Sequence, residues 1–147
     1  MPIPDLNEDG LLPEGIHDCT LDEIGARFGR FQVTERRIQL FGKLRALVDE
    51  ERQAGLAVEL IVDGSFVTDK PEPGDIDLVI VLPADYNREG EFAPFRYNAI
   101  SKVSIRRRYG FDVFVTREGT SDYFGQIAFF QRVKESELQK GVLRIKL

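Results

Sequence analysis

The stretch from Asp63 to Leu82 constrains the fold of this chain more than any other. An apolar run rich in β-branched residues, Val58-Glu-Leu-Ile-Val62, ends in Asp63-Gly64-Ser65. Nine residues follow, closing in Lys70-Pro-Glu-Pro-Gly74, and then a second apolar run, Asp75-Ile-Asp-Leu-Val-Ile-Val-Leu82. Short β-branched runs bounded by Gly, Pro and Asp read as strands. Pro71, Pro73 and Gly74 exclude a helix or a central strand between them. Side chains alternate faces along a strand, so Ile76, Leu78, Ile80 and Leu82 share one side and Asp75, Asp77, Val79 and Val81 the other. A strand that is apolar on both sides over most of its length is central and covered. The chain is therefore expected to fold around a sheet whose middle strand opens with two carboxylates on one face.

The rest of the sequence supplies helices for that sheet. Residues 1–19 carry Pro2, Pro4, Gly10, Pro13 and Gly15 and read as an extended arm, with Ile3, Leu6, Leu11, Leu12 and Ile16 to lay against the body. Thr20-Leu-Asp-Glu23 has the capping-box spacing, which predicts a helix from about Leu21 to Phe28 ended by Gly29. Thr34 is placed to cap a longer helix to about Gln53, with Ile38, Phe41, Leu44, Leu47 and Val48 at helical spacing and Gly55 after it. Pro83–Phe92 reads as a polar loop. Pro94 begins a helix that ends near Tyr109-Gly110. Phe111-Asp-Val-Phe-Val115 is a third strand. Ser121 or Asp122 starts a last helix, and Val142–Lys146 is a fourth strand. The expectation is a single α+β domain over 1–147, with a small mixed sheet of about four strands in the order ααββαβαβ.

Composition narrows the function classes. A hydrophobic fraction of 42% with 11 Phe in 147 residues supports a core of one domain. The formal net charge of −5 argues against a chain that blankets nucleic acid. Cys19 is the single cysteine, so no internal disulfide forms. No apolar stretch has the roughly 18–20 residues of a membrane span, and the first residues lack the basic and apolar regions of a secretion signal. These features make the cytoplasm the expected compartment.

The chemistry resides in the acidic residues. Two neighbouring carboxylates repel unless a cation lies between them, and the hard divalent cation that prefers oxygen ligands is Mg²⁺, or Mn²⁺ in its place. The Gly64-Ser65 turn sets backbone N–H groups and a hydroxyl where a phosphate can lie. Asp112 is the one charged residue within Phe111–Val115, where desolvation disfavours it unless something positive meets it. With its strand beside that of Asp77, three carboxylates can hold two metal ions about 4 Å apart, an arrangement that orients a nucleophile and stabilises a phosphoryl group and its leaving oxygen.

Gly64-Ser65, nine residues, and Asp75-Ile-Asp77, followed by a strand carrying Asp112, resemble the signature of the DNA polymerase β-like nucleotidyltransferase superfamily, in particular its minimal nucleotidyltransferases. The resemblance covers about residues 58–117 with the preceding helix, and points to a small bacterial subfamily of unknown function. It implies transfer of a nucleoside monophosphate from an NTP, ATP among them, to a hydroxyl acceptor, with pyrophosphate released. It implies that Gly64 and Ser65 hold the β- and γ-phosphates, that Asp75 and Asp77 bind both metals, and that Asp112 binds the catalytic metal and helps activate the acceptor. Lys70 lies near enough in sequence to touch the triphosphate. The chain departs from the pattern at Thr68, where many members have a second glycine, and at Val67, where many have an arginine. Minimal nucleotidyltransferases are often partners in toxin–antitoxin pairs, so a partner protein, a tRNA or a small molecule are the acceptor classes, and a homo-oligomer is compatible with so small a chain.

Two other classes compete. One is an inactive nucleotidyltransferase fold serving as a binding module, such as an antitoxin-like partner protein. The other is metal-dependent phosphodiester hydrolysis. Arg106-Arg-Arg108 reads first as cations complementing the last turn of a helix and only second as a phosphate or RNA contact. His17-Asp-Cys19 lacks the further His or Cys that a zinc site requires and reads as arm packing. Phe124, Phe129 and Phe130 read as helix packing.

Overall fold

A computed structural model describes residues 3–86, 94–133 and 138–147, with only the backbone of Pro94 and Phe95. Its five strands are β1 (Gly15–Asp18), β2 (Glu59–Asp63), β3 (Asp77–Leu82), β4 (Asp112–Arg117) and β5 (Gly141–Lys146). Its helices are α1 (Leu21–Phe28), α2 (Arg36–Ala54), α3 (Pro94–Asn98), α4 (Lys102–Tyr109) and α5 (Ser121–Phe130). One sheet holds the strands in the order β1-β5-β2-β3-β4. β2 runs antiparallel to both β3 and β5. β3 is parallel to β4, and β1 to β5.

Local chemistry sets the helix ends. Thr20 and Glu23 form the reciprocal capping box of α1, with the Glu23 N–H donating to Thr20 Oγ1 at 3.1 Å and the Thr20 N–H to Glu23 Oε1 at 3.0 Å. Gly55 and Gly110 close α2 and α4 in the left-handed conformation that glycine adopts without steric cost. Glu35 rather than Thr34 occupies the cap of α2, while Thr34 Oγ1 accepts from the Arg36 N–H.

The sheet is covered on both faces. Leu60, Val62, Leu78, Ile80, Leu82, Val113, Leu143 and Ile145 face α1, α2 and α4, and form the larger core with Ile24, Phe28, Leu44, Leu47 and Ile105. Ile61, Val79, Val81 and Val142 face α5 through Tyr123, Ile127 and Phe130. The Asp77 side of the sheet is the side that α5 covers, because Asp77, Val79 and Val81 alternate with Leu78, Ile80 and Leu82.

The α+β class is as expected, and two details of the architecture differ. The sheet has five strands, not about four, and the element order is βααββααβαβ. The extra strand lies in the arm: residues 15–18 pair with β5, and Asp18 holds Arg144 across the pair at 2.6 and 2.9 Å. Nothing in the short Gly-Ile-His-Asp run signals a strand, and its partner supplies the pairing. The helix expected from Pro94 to Tyr109 is two helices, broken where Ser101 caps α4. The loop expected after Pro83 falls largely outside the described residues. The arm lies against the body as expected, with Ile3 and Leu12 buried. Cys19 is a free thiol, pushed up to about 12 by burial. Among the described residues, no helix is long and apolar enough to cross a membrane.

Candidate active site

The strand register brings three aspartates into line. Asp63 is the pairing partner of Asp77 across β2 and β3, and Asp77 is the partner of Asp112 across β3 and β4. Residues directly opposite each other share a face, so the three carboxylates stand in a row on the α5 side, with strands about 4.8 Å apart. Asp77 and Asp112 line one cleft of about 410 Å³, together with Lys102, Val103, Phe114 and Phe129. Asp75 lies just before β3 and belongs to the neighbouring turn.

Gly64 has φ +92°, and a Cβ there would sit 2.9 Å from the Asp77 amide nitrogen, 3.0 Å from the Asp75 carbonyl and 3.1 Å from Asp75 Oδ1. Only glycine lets the two chain segments meet so closely. Ser65 begins a single 3₁₀ turn, Ser65–Val67. Its N–H and its hydroxyl both donate to Asp75 Oδ1, at 3.0 and 2.8 Å. The Ser65 oxygen accepts from the Gly74 N–H at 3.0 Å and the Asp75 N–H at 3.3 Å. One carboxylate oxygen of Asp75 therefore occupies the anion position of the Gly-Ser turn.

The intervening loop is held by α2. Arg37 is 2% exposed, and its guanidinium donates to the carbonyls of Phe28, Phe66, Thr68 and Lys70 at 2.5–3.3 Å. It lies beside the paired Phe28 and Phe66 rings, 5.9 and 5.6 Å from their centroids. Arg36 adds donors to the carbonyls of Pro73 and Gly74 at 3.0 and 2.8 Å. A loop too rich in proline to build its own ladder is thus tied down by two arginines from one helix end. The Thr68 and Lys70 carbonyls belong to that clamp. The Lys70 side chain is exposed, and no contact joins it to the carboxylates among the described residues.

The electrostatics differ along the aspartate row. Asp77 is half-buried, and its carboxylate has no hydrogen-bond donor among the described residues. Burial, followed by the charges of Asp75 and Asp63, pushes it up to about 6, with Lys140 opposing. Asp63 is buried and also raised, chiefly by burial, against the pull of Lys140, whose Nζ lies 2.9 Å from Asp63 Oδ1. Asp112 is exposed and forms an ion pair with Arg106, itself exposed on α4.

Gly64, Ser65, Asp75 and Asp77 are thus brought together, and Asp112 faces the same cleft one strand away. Asp63, Lys140, Arg36 and Arg37 join the site without having been singled out in the sequence, and Arg106, read there as a helix-end cation, joins it as the partner of Asp112. Register alone implicates Asp63, since a strand ending at Asp63 and returning at Asp77 sets the two side by side. The cations carry no local signal. Among the described residues no three acidic, His or Cys side chains are drawn together closely enough to form a preformed metal cage. The donor set still suits a divalent cation at the Asp75–Asp77 pair: both side chains supply oxygen, Asp75 Oδ2 has no partner among the described residues, and Asp77 is raised by burial and then by the like charges that such a cation would relieve.

The chain belongs to a family described as a family of unknown function, DUF6932, whose model matches residues 4–146. The match takes in the arm and the α5–β5 unit, so both are parts of the family's domain. No curated protein and no solved structure matches the chain.

Proposed function

We propose that this chain is a metal-dependent nucleotidyltransferase that moves a nucleoside monophosphate from an NTP to a hydroxyl acceptor and releases pyrophosphate. The observation that carries the reading is Asp77, an undonated carboxylate held on a central strand between two acidic neighbours and beside the Gly-Ser turn. Such a group is costly to fold around unless a cation is part of the working state. Asp75 and Asp77 would hold that cation, Mg²⁺ or Mn²⁺, which supplies Lewis-acid polarisation of the phosphoryl oxygens. Asp75 turning toward it would free the Ser65 N–H and hydroxyl for a phosphate oxygen, in the anion position that its own oxygen now fills. Asp112 would exchange Arg106 for the metal side of the cleft. The pair between them is exposed on both sides and is worth at most about 1 kcal/mol. The acceptor hydroxyl would then attack the α-phosphorus, its proton passing to the Asp112 carboxylate while the bond to pyrophosphate breaks.

One set of contacts favours the binding-module reading instead. Asp63, Asp75 and Asp112 already have partners within the chain, in Lys140, Ser65 and Arg106. A fold that neutralises its own acidic row can serve a partner without catalysis.

Calorimetric titration of Mn²⁺ with a non-hydrolysable ATP analogue separates the two, alongside pyrophosphate release from each labelled NTP in lysate. The expected result is metal-dependent nucleotide binding that Asp77→Asn lowers by at least about a hundredfold, since it removes one charge of the pair. Unaltered binding in Asp77→Asn, or none in the wild type, would sink the transferase reading.

A further inference from the structure

A second cavity, of about 940 Å³, adjoins the carboxylate cleft. Lys102, Val103 and Phe114 line both, so the two form one groove along β4, the edge strand of the sheet. Phe114 and Thr116 follow Asp112 on the same face at steps of two residues, which places Thr116 about 13 Å along the strand from Asp112.

The lining is polar and nearly neutral. Tyr97 offers a half-exposed ring, and Ser101, Thr116, Asp122 and Gln126 offer hydrogen-bonding groups. Among the described residues two of these are unsatisfied: Thr116, 8% exposed, has no partner for Oγ1, and Gln126 has none for Nε2. Buried polar atoms without partners are rare in native proteins, and in a cavity they mark atoms that a ligand completes.

The order of parts across the sheet decides what that ligand is. The Gly64-Ser65 turn lies on the β2 side of Asp77, and Asp112 and the groove lie on the β4 side. In-line displacement at phosphorus brings the nucleophile in opposite the leaving group. With the β- and γ-phosphates at the turn, the nucleophile arrives from the groove.

Resting on the nucleotidyltransferase reading, we propose that this cavity is the acceptor site and that it takes an uncharged, polyhydroxylated ring, a sugar or a nucleoside. Its ring stacks on Tyr97, its hydroxyls bond Thr116 Oγ1 and the Gln126 amide, and one hydroxyl points along Phe114 toward Asp112. That hydroxyl oxygen forms the new bond to the α-phosphorus, its proton goes to Asp112, and the α–β bridging oxygen leaves with its electron pair as pyrophosphate.

Amide NMR of the ¹⁵N-labelled full chain tests this with methyl α-glucoside, uridine, adenosine, and Mg²⁺ with a non-hydrolysable ATP analogue as separate probes. At least one neutral probe is expected to shift the Thr116 and Gly125 backbone signals and the Gln126 side-chain amide saturably, and the identity of that probe tells sugar from nucleoside. Thr116→Val and Gln126→Leu, each checked for an unchanged spectrum elsewhere, are expected to weaken it by about tenfold, one hydrogen bond each. The ATP analogue is expected to shift Gly64, Ser65 and Asp77 and to leave Thr116 in place. Absence of any neutral-probe shift at Thr116 and Gln126 overturns the proposal. So does unaltered binding in both variants, or an ATP analogue that competes for these signals. A neutral probe in the cavity with no ATP response at Gly64 overturns the transfer reading and leaves a ring-binding site.

Discussion

Asp63 and Asp112 flank Asp77 on neighbouring strands of one sheet, each with a cation of its own, yet the two pairs differ in kind. The side chains of Asp63 and Lys140 are 4% and 16% exposed, and those of Asp112 and Arg106 are 59% and 67% exposed. A buried pair cannot lose one partner without stranding the other charge, whereas an exposed pair is screened by water and exchanges counterions freely. The β2 side of the row is therefore a fixed wall and the β4 side an adjustable one. That division suits a site in which the phosphate side must be rigid and the acceptor side must open.

The strongest way to break the comparison is Lys140→Met. It strands Asp63, and a loss of about 3–5 kcal/mol in urea unfolding at pH 7.5 is expected, shrinking as pH falls because the raised carboxyl takes up a proton more readily than an ordinary one. Adding Asp63→Asn should recover most of it. If Lys140→Met alone costs no more than a surface substitution, the buried wall is not one.

A middle-sized effect sharpens the role of Asp77 between the two walls. Its folded-state value of about 6 lies above the ordinary carboxyl value, so the folded state holds the proton more tightly than the unfolded chain. Stability from this group is present below about pH 4 and is lost as pH rises through 6. Wild type minus Asp77→Asn isolates it from Glu51, a buried α2 carboxyl without a hydrogen-bond partner, which burial and Glu50 push up to about 8 and which shifts stability in the same direction at higher pH. The Asn variant should be more stable at pH 7.5 by about 1–3 kcal/mol, with no gain at pH 4. A difference that grows toward low pH would reverse the sign and refute the burial and acidic crowding of Asp77.

Arg106→Gln is the smallest and probes the adjustable wall. Its cost to stability should stay below about 1 kcal/mol, while Mn²⁺ binding tightens by roughly threefold to tenfold because a competing cation is gone. Weaker Mn²⁺ binding in this variant would mean that Arg106 helps to build the site.

Much of this arrangement was legible in the chain, and the illegible parts share a cause. The alternation in Ile76–Leu82, the capping box at Thr20 and the glycines at 55 and 110 are local signals, and each element they mark is present. The α2 phase was only partly readable: Leu44, Leu47 and Val48 are buried, but Ile38 is exposed and Arg37 is buried in its place. An arginine looks like surface until the carbonyls it serves are known, and those lie in a loop some 30 residues away. Lys140 was hidden for the same reason. Phe124 and Phe129 read as packing and stand exposed, while Phe130 is core. Arg108 is tied to the largely buried Glu50 and is a structural cation of the basic triplet, whereas Arg106 makes only an exposed pair with Asp112.

The place of β5 has a consequence for how such a chain matures. It is the last of the described strands, yet it lies inside the sheet between β1 and β2, and the Asp18–Arg144 bond joins residues 126 positions apart. Closing so distant a contact is slow and gains nothing until both ends meet. A nascent chain on the ribosome would have its serine turn and its acidic strand made while the sheet still lacked an interior member. On the transferase reading, competence for chemistry would then come in one late step, and half-made copies would not act on nucleotides.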